Sequence, residues 1–167
     1  MHDTHNKMKI LSIDIGLKNF GMTVYCTEAH RFTSFHVIQL GKVKDYVKRM
    51  RELSATKPFT SADIILVENQ MRQCMRTMAI ALRCFNYEKT IPVAPQSIKR
   101  FFKTSMRAHH KNKKAAIQEA RKHLSDEYML VQFDCLKKKD DIADCVLQTI
   151  WYLNCRQEHL TGSKSKA

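Results

Sequence analysis

The sequence lacks several features that would define a membrane, secreted or zinc-binding protein. It has 6 cysteines, but no two of them are spaced as Cys-x-x-Cys, which argues against a zinc site. No stretch approaches the roughly 20 apolar residues of a membrane span, and residues 1–7 are too short and polar for a signal peptide. We therefore expect free thiols, a reducing compartment and no association with a membrane.

Acidic residues are few relative to basic ones. The chain has 29 Lys and Arg against 16 Asp and Glu, which gives a formal net charge of +13 and a pI near 9.6. Such a balance favours a polyanionic partner. An anionic membrane surface is the alternative, but no basic amphipathic helix stands alone to support it.

The chain is long enough for one domain with a real core. Its 167 residues suit a single domain, which we assign to residues 1–160, and the Ser- and Lys-rich tail 161–167 is expected to be disordered. Apolar patterning predicts strands at 8–14, 20–26, 32–39, 63–67 and 90–94. Helices are predicted at 43–54, 71–87, 96–103, 114–124 and about 140–155. This order predicts an α/β fold with a mixed five-stranded sheet, three antiparallel strands then two parallel, flanked by helices.

Four carboxylates stand where a phosphodiester-cleaving site would need them. Asp14 and Glu68 each end an apolar run that reads as a strand. Asp141 and Asp144 lie three residues apart near the start of the last predicted helix, so they share one helix face. If the first and fourth strands are parallel neighbours, their carboxyl ends meet at one edge of the sheet. Four converging oxygen donors would repel one another without hard cations between them, and Mg²⁺ prefers such ligands.

Each acid also has an ordinary structural explanation. Asp14 could simply end a strand before a Gly turn, and Glu68 or Asp141 could stabilise the start of a helix. Asp144 is harder to explain in this way, because it lies beside Ala143 on an apolar face where an unpaired charge is costly. Asp140 competes with Asp141, although the spacing of Asp141 to Asp144 favours Asp141.

Basic residues concentrate next to the presumed site. Residues 97–124 contain nine Lys or Arg against one acid, Glu119. A charge run is usually a solvated face, but this excess predicts contacts with nucleic-acid phosphates. The predicted DNA-binding residues are Arg72, Arg76, Lys99, Arg100, Lys103, Arg107, Lys111 and Lys113.

Three motifs, taken together, resemble a known family. They are Ile13-Asp14-Ile15-Gly16-Leu17-Lys18-Asn19, Val67-Glu68-Asn69-Gln70 and, after a Lys-rich helix start, Asp140-Asp141-Ile142-Ala143-Asp144. Their order and spacing are similar to those of the RuvC-like Holliday-junction resolvases of the ribonuclease H-like superfamily, and most similar to the poxvirus and mitochondrial types. The resemblance covers roughly residues 8–155. Asn69 departs from it, because the poxvirus-type motif has Arg there.

The resemblance implies a metal-dependent DNA endonuclease of ribonuclease H-like fold. A homodimer would nick two opposed strands of a four-way DNA junction, and no small-molecule cofactor would be needed. Two ions of Mg²⁺, for which Mn²⁺ could substitute, would be held in each active site. The implied ligands and catalytic acids are Asp14, Glu68, Asp141 and Asp144.

The resemblance also assigns a lysine, a dimer element and a compartment. The family's essential lysine, which opens a helix, falls on Lys114, with Lys111 and Lys113 as alternatives. The apolar helix 71–87 is the candidate dimer element. The poxvirus similarity favours a cytoplasmic site of viral replication over the mitochondrion.

Two other functions are consistent with the same residues. One is another ribonuclease H-like nuclease, such as a flap cutter or a transposon-type nuclease, although the paired cysteines typical of the latter are missing. The other is a non-catalytic junction-binding protein. Against it, four acids that held no metal would repel DNA.

Overall fold

The sheet follows the predicted topology. The structure, a computed structural model, describes residues 7–41, 44–103 and 109–162, with the backbone alone at 109–112 and 157–162. Its strands are β1 (Lys9–Ile15), β2 (Asn19–Cys26), β3 (Arg31–Gln39), β4 (Ile64–Glu68) and β5 (Thr90–Val93). They form a sheet of order β3-β2-β1-β4-β5, in which β1, β2 and β3 are antiparallel and β4 and β5 run parallel to β1. This confirms the mixed five-stranded sheet, and each strand end lies within one residue of its prediction.

The helices agree less closely with the sequence patterns. They are α1 (Tyr46–Ser54), α2 (Lys57–Thr60), α3 (Gln73–Phe85), α4 (Pro95–Phe101), α5 (His109–Lys122), α6 (Glu127–Cys135) and α7 (Lys139–Gly162). Helix α5 begins at His109, five residues before the predicted start at residue 114, so Lys114 does not open it. Helix α7 includes residues 161 and 162, and the rest of the predicted tail, 163–167, lies outside the described residues.

Two helices were not predicted. Pro58 lies in the first turn of α2, where a backbone N–H has no hydrogen-bond partner within the helix, so its absence costs nothing. The segment that follows α1 can therefore begin a new helix. Helix α6 is capped by Asp126, whose side chain accepts a hydrogen bond from the backbone N–H of Met129 at 3.1 Å. Its apolar residues divide between buried Phe133 and exposed Val131, so no clean periodicity marks it.

Alternation along β1 divides the core between the two faces of the sheet. Leu11, Ile13 and Ile15 are fully buried in the core that also contains α1 and α3 residues. Ser12 points to the opposite face, where its hydroxyl lies 2.6 Å from that of Thr149 in α7. Because side chains alternate along a strand, Asp14 shares the face of Ser12, and α7 covers that face.

Helix α3 does not present its apolar residues on a single free side. Met78, Ala79 and Leu82 are buried in the core of the chain itself. By contrast, Met71, which precedes α3, and Phe85, which ends it, are exposed to 81% and 42%. The predicted apolar side is therefore divided between the core and the surface.

None of the helices in the described ranges combines the length and the apolar character that crossing a lipid bilayer requires.

Candidate active site

Two of the predicted acids come together because their strands are parallel neighbours. Ile13 of β1 is aligned with Val67 of β4, and the next residue on each strand is an acid, Asp14 and Glu68. Parallel strands aligned in this way place both carboxylates at the same edge of the sheet.

A glycine on β2 lets α7 approach this edge closely. Gly21 is aligned with Asp14 across the antiparallel pair. A Cβ built on Gly21 would lie 2.9 Å from the backbone oxygen of Asp141, which is closer than real Cβ atoms come. The first turn of α7 therefore packs on β2 beside Asp14 because residue 21 has no side chain.

The strand ends and three helices enclose a cleft of about 230 Å³. Four acids and two lysines lie in its wall together with an apolar side. The lining residues are Asp14, Glu68, Pro95, Ile98, Lys99, Lys113, Ala116, Asp140, Asp144, Leu147 and Gln148.

Three of the four predicted acids, Asp14, Glu68 and Asp144, line this cleft. The fourth lining acid is Asp140, whereas Asp141 packs toward β2 beside the cleft. Oδ2 of Asp141 is buried and has no hydrogen-bond partner among the described residues. Asp140 and Asp144 are four residues apart on α7, which places them on one helix face.

Two lysines contribute positive charge to the wall of the cleft. Nζ of Lys113 lies 2.5 Å from Oδ2 of Asp140, so the pair joins α5 to α7. Lys99 of α4 is exposed, and its charge counteracts the rise in the pKa of Glu68. Lys114 is exposed and is not part of the cleft wall.

The carboxylates raise one another's affinity for protons. Burial raises the pKa of Asp14 well above its usual value, and the charges of Asp144 and Glu68 raise it further. Burial, and then the charges of Glu68 and Asp140, raise the pKa of Asp144 to about 7. Asp144 is open to solvent through the cleft, yet protein atoms surround its carboxyl group closely enough for burial to be the main cause of its raised pKa.

Asp140 behaves differently from its neighbours because of Lys113. Burial acts to raise the pKa of Asp140, but the hydrogen bond and charge of Lys113 outweigh it and hold the pKa below its usual value. The same hydrogen bond raises the pKa of Lys113. Both groups are therefore charged at neutral pH.

The donor set has the chemistry that a hard divalent cation requires. Carboxylate oxygens are the ligands of Mg²⁺, and a cation would relieve the repulsion that raises the pKa values of Asp14 and Asp144. Within the described ranges, no three acid, His or Cys side chains are already gathered tightly enough to hold one ion.

The stability of the metal-free protein should depend on pH through Asp144. Its pKa of about 7 in the folded state lies above the ordinary value of 3.8, so the unfolded chain ionises first as the pH rises. The stabilisation from holding this proton is complete below pH 3.8 and is lost as the pH rises through about 7. Asp144→Asn cannot ionise, and its melting temperature in EDTA should increasingly exceed that of wild type from about pH 4 to pH 8.

Melting curves of both proteins across this range provide the measurement. Mg²⁺ added at pH 8 should raise the melting temperature of wild type more than that of Asp144→Asn, because a ligand stabilises the state that binds it. A difference between the two proteins that does not change with pH would contradict this account.

Four of the other predicted DNA-binding residues lie on or beside α3 and α4. Arg100 and Lys103 are exposed at the end of α4, and Arg72 is exposed before α3. The Arg76 guanidinium donates hydrogen bonds to the backbone oxygens of Gln70 and Met71 at 3.4 and 3.2 Å, so it holds the segment after β4. Arg107 and the side chain of Lys111 lie outside the described residues.

Two glutamines at the site were not singled out from the sequence. Nε2 of Gln70 donates a hydrogen bond to Oε2 of Glu68 at 3.3 Å. Gln148 lines the cleft one helical turn beyond Asp144 and is only 2% exposed. The spacing of residues 140, 144 and 148 could have revealed Gln148, because side chains four apart share a helix face.

Solved structures with a similar fold include two of a Fowlpox virus protein. The Fowlpox virus resolvase with its substrate Holliday junction DNA has a TM-score of 0.69, and a second structure of the Fowlpox virus Holliday junction resolvase has one of 0.64. Both are 19% identical to this chain. Each alignment covers 89% of this chain and 99% of the resolvase chain. Thermus thermophilus RuvC has a TM-score of 0.57 and 14% identity, covering 89% of this chain and 97% of its own. These likenesses confirm the ribonuclease H-like fold.

Sequence comparison is more specific about the family. No curated protein matches the chain. The family described as the poxvirus A22 protein, however, matches residues 8–155, which include every strand and all the acids of the cleft. This match confirms the predicted resemblance to the poxvirus type. The chain therefore belongs to the poxvirus A22 protein family.

Proposed function

We propose that this protein is a metal-dependent, structure-specific endonuclease that resolves four-way DNA junctions by paired, symmetric nicks. The observation that carries the proposal is the convergence of Asp14, Glu68, Asp140 and Asp144 in one cleft with two lysines. The fowlpox relative of the same fold is described with Holliday junction DNA as its substrate. The poxvirus family supports a cytoplasmic site of action over a mitochondrial one.

Asp14, Glu68 and Asp144 would hold two divalent cations, Mg²⁺ or Mn²⁺, with Asp140 or Asp141 as the fourth acid. Asp140 is supported as the fourth ligand by its position in the cleft wall, whereas the spacing of three residues to Asp144 favours Asp141. When bound, such ions supply a Lewis acid for the phosphate and an activated water. The protein itself supplies the fixed carboxylate positions, which follow from the β1–β4 pairing and from the packing of α7 on Gly21.

Lys113 and Lys99 would act on the phosphate. Both residues line the cleft, where an ammonium group can stabilise negative charge that develops at the phosphorus during cleavage. The position of Lys113 in the cleft wall supports it for the role of the family's lysine, although α5 begins four residues earlier, at His109, so neither Lys113 nor Lys114 opens a helix. Lys114, which the sequence favours for this role, is exposed outside the cleft and would contact the DNA backbone.

Exposed Lys and Arg side chains outside the cleft would set the affinity for DNA. Positive charge is exposed on the surface at Arg72, Arg100 and Lys103. The sequence has two further basic residues nearby along the chain, Arg107 and Lys111. Phosphate contacts of this kind do not read sequence, so binding should weaken steeply with salt on every branched substrate.

The test is cleavage of a labelled synthetic four-way junction with Mg²⁺, beside a matched linear duplex and a Y-shaped flap. Paired symmetric nicks in the junction alone are the expected result. Equal cleavage of all three substrates would instead indicate a general ribonuclease H-like nuclease. Tight junction binding without cleavage in Mg²⁺ or Mn²⁺ would indicate a non-catalytic junction-binding protein.

A homodimer would match the two-fold symmetry of a junction with two opposed cleavage sites. The supporting surface is the outer side of α3, where a groove of about 380 Å³ is lined by Ile80, Arg83, Cys84, Tyr87 and Thr90. Ile80 and Tyr87 are 51% and 83% exposed there, although apolar side chains of this size are costly to leave in water.

Ile80→Asp should therefore shift the protein toward monomer. Placing a charge at the centre of an interface is expected to raise the dimer dissociation constant by about 30-fold, the factor that corresponds to one strong interface residue. Light scattering across a concentration series measures this constant. Val131→Asp on α6, which changes a side chain of similar exposure, is the matched control. A wild-type monomer at all concentrations would exclude the proposed interface.

A further inference from the structure

Gln148 is a buried amide whose hydrogen bonding is incomplete. The side chain lines the cleft from α7 and is 2% exposed. Its Nε2 is buried without a hydrogen-bond partner among the described residues. Burying an amide donor without a partner is unfavourable, so a donor of this kind calls for a functional explanation.

Asp144 is the acceptor that the helix geometry provides. Asp144 and Gln148 are four residues apart on α7 and both line the cleft. Side chains at this spacing are neighbours on a helix surface, and Gln and Asp pairs at this spacing form hydrogen bonds. A pair at this spacing can therefore form a hydrogen bond when the two side chains rotate toward each other.

The other side of the site already has an arrangement of this kind. Gln70 donates its amide N–H to the carboxylate of Glu68 at 3.3 Å. The Gln70 amide thus orients Glu68 at the end of β4. Asp144, on α7, has the Gln148 amide one helical turn away. The two acids interact closely, since the charge of Glu68 affects the proton affinity of Asp144.

We propose that Gln148 is a positioning residue, whose amide N–H donates a hydrogen bond to the Asp144 carboxylate and holds it in the orientation that faces a divalent cation. The inference rests on the proposed function, because it gives Asp144 the role of a ligand. Ligating carboxylates are themselves oriented by hydrogen bonds, and losing such a partner typically costs about 10- to 100-fold in metal affinity or activity.

Gln148→Met tests the proposal, because it keeps the length of the side chain and removes the donor. We expect the Mg²⁺ concentration that gives half of the maximal thermal stabilisation, measured without DNA, to rise by about 10- to 100-fold. Junction affinity in EDTA should not change. Gln118→Met, at an exposed position on α5, is the matched control and should leave the Mg²⁺ requirement as in wild type.

A purely structural role for Gln148 would give a different result. In that case Gln148→Met would change the melting temperature in EDTA but leave the half-saturating Mg²⁺ concentration unchanged, and the inference would be overturned. If Gln148→Met does not fold, Gln148→Asn decides the question, because it shortens the side chain by one methylene and should raise the Mg²⁺ requirement as well.

The same titration separates this inference from the proposed function. If Mg²⁺ stabilises wild type and Gln148→Met raises the requirement, but no junction is cut, the inference stands and the nuclease proposal fails. If Mg²⁺ does not stabilise wild type at all, the inference fails, because Asp144 then has no cation to face.

Discussion

Asp144→Asn is expected to reduce cleavage of a four-way junction by more than about 100-fold, because losing even an outer partner of a metal ligand costs about 10- to 100-fold. Asp144 lies in the cleft among three other acids, and Asn has the same shape without the charge. Junction binding should be kept or strengthened, since one negative charge is removed from a surface that faces DNA phosphates.

Single-turnover cleavage and junction binding in EDTA measure the two effects separately. Asp134→Asn on α6 is the control, because it removes one negative charge at an exposed position that does not line the cleft, where the carboxylate pairs with Arg121 of α5. A normal cleavage rate for Asp144→Asn would show that the site has been assigned to the wrong residues. Weakened binding with unchanged chemistry would make Asp144 a DNA contact.

Gly21→Ala is expected to damage both stability and cleavage, although residue 21 has no chemistry of its own. The added Cβ would lie 2.9 Å from the backbone oxygen of Asp141 and 3.1 Å from its Cβ, so α7 must move away from β2. Overpacking of this kind costs about 1–3 kcal/mol of unfolding free energy. A shift of about 1 Å in the catalytic groups can lower the rate by about 100-fold.

Urea denaturation and junction cleavage test this prediction together. Thr23→Val is the control on the same strand and the same face, since Thr23 is fully buried and its hydroxyl has no hydrogen-bond partner in the described part of the chain. Replacing that hydroxyl with a methyl group should be close to neutral or slightly stabilising. If Gly21→Ala is as stable and active as wild type, the close approach of α7 does not position the acids.

The strands and the sheet could be predicted because their signals are local. Apolar runs of the right length mark β1 and β4, and each strand has an acid at or next to its last residue. The meeting of Asp14 and Glu68 therefore follows once the strands are parallel neighbours. Helices α2 and α6 could not be predicted, because α2 has a proline in its first turn and α6 distributes its apolar residues over several faces.

Which residues of a helix enter the cleft could not be predicted from spacing alone. Asp140 and Asp141 are adjacent, and the choice between them depends on how α7 is rotated against β2. The same applies to Lys113 and Lys114 on α5. Rotation of a helix on a sheet is determined by packing between segments far apart in sequence, and no local pattern encodes it.

The order of the strands also has a consequence for how the site assembles during folding. Asp14 comes from the first strand, Glu68 from the fourth and Asp144 from the last helix, so the acids meet only after long loops have closed. Contacts between distant segments are slow to form, because the entropy of loop closure is lost before the contacts stabilise the chain. A nascent or partly folded chain therefore holds its acids apart, and the proposed cleavage of DNA should arise only with the final packing of α7 on the sheet.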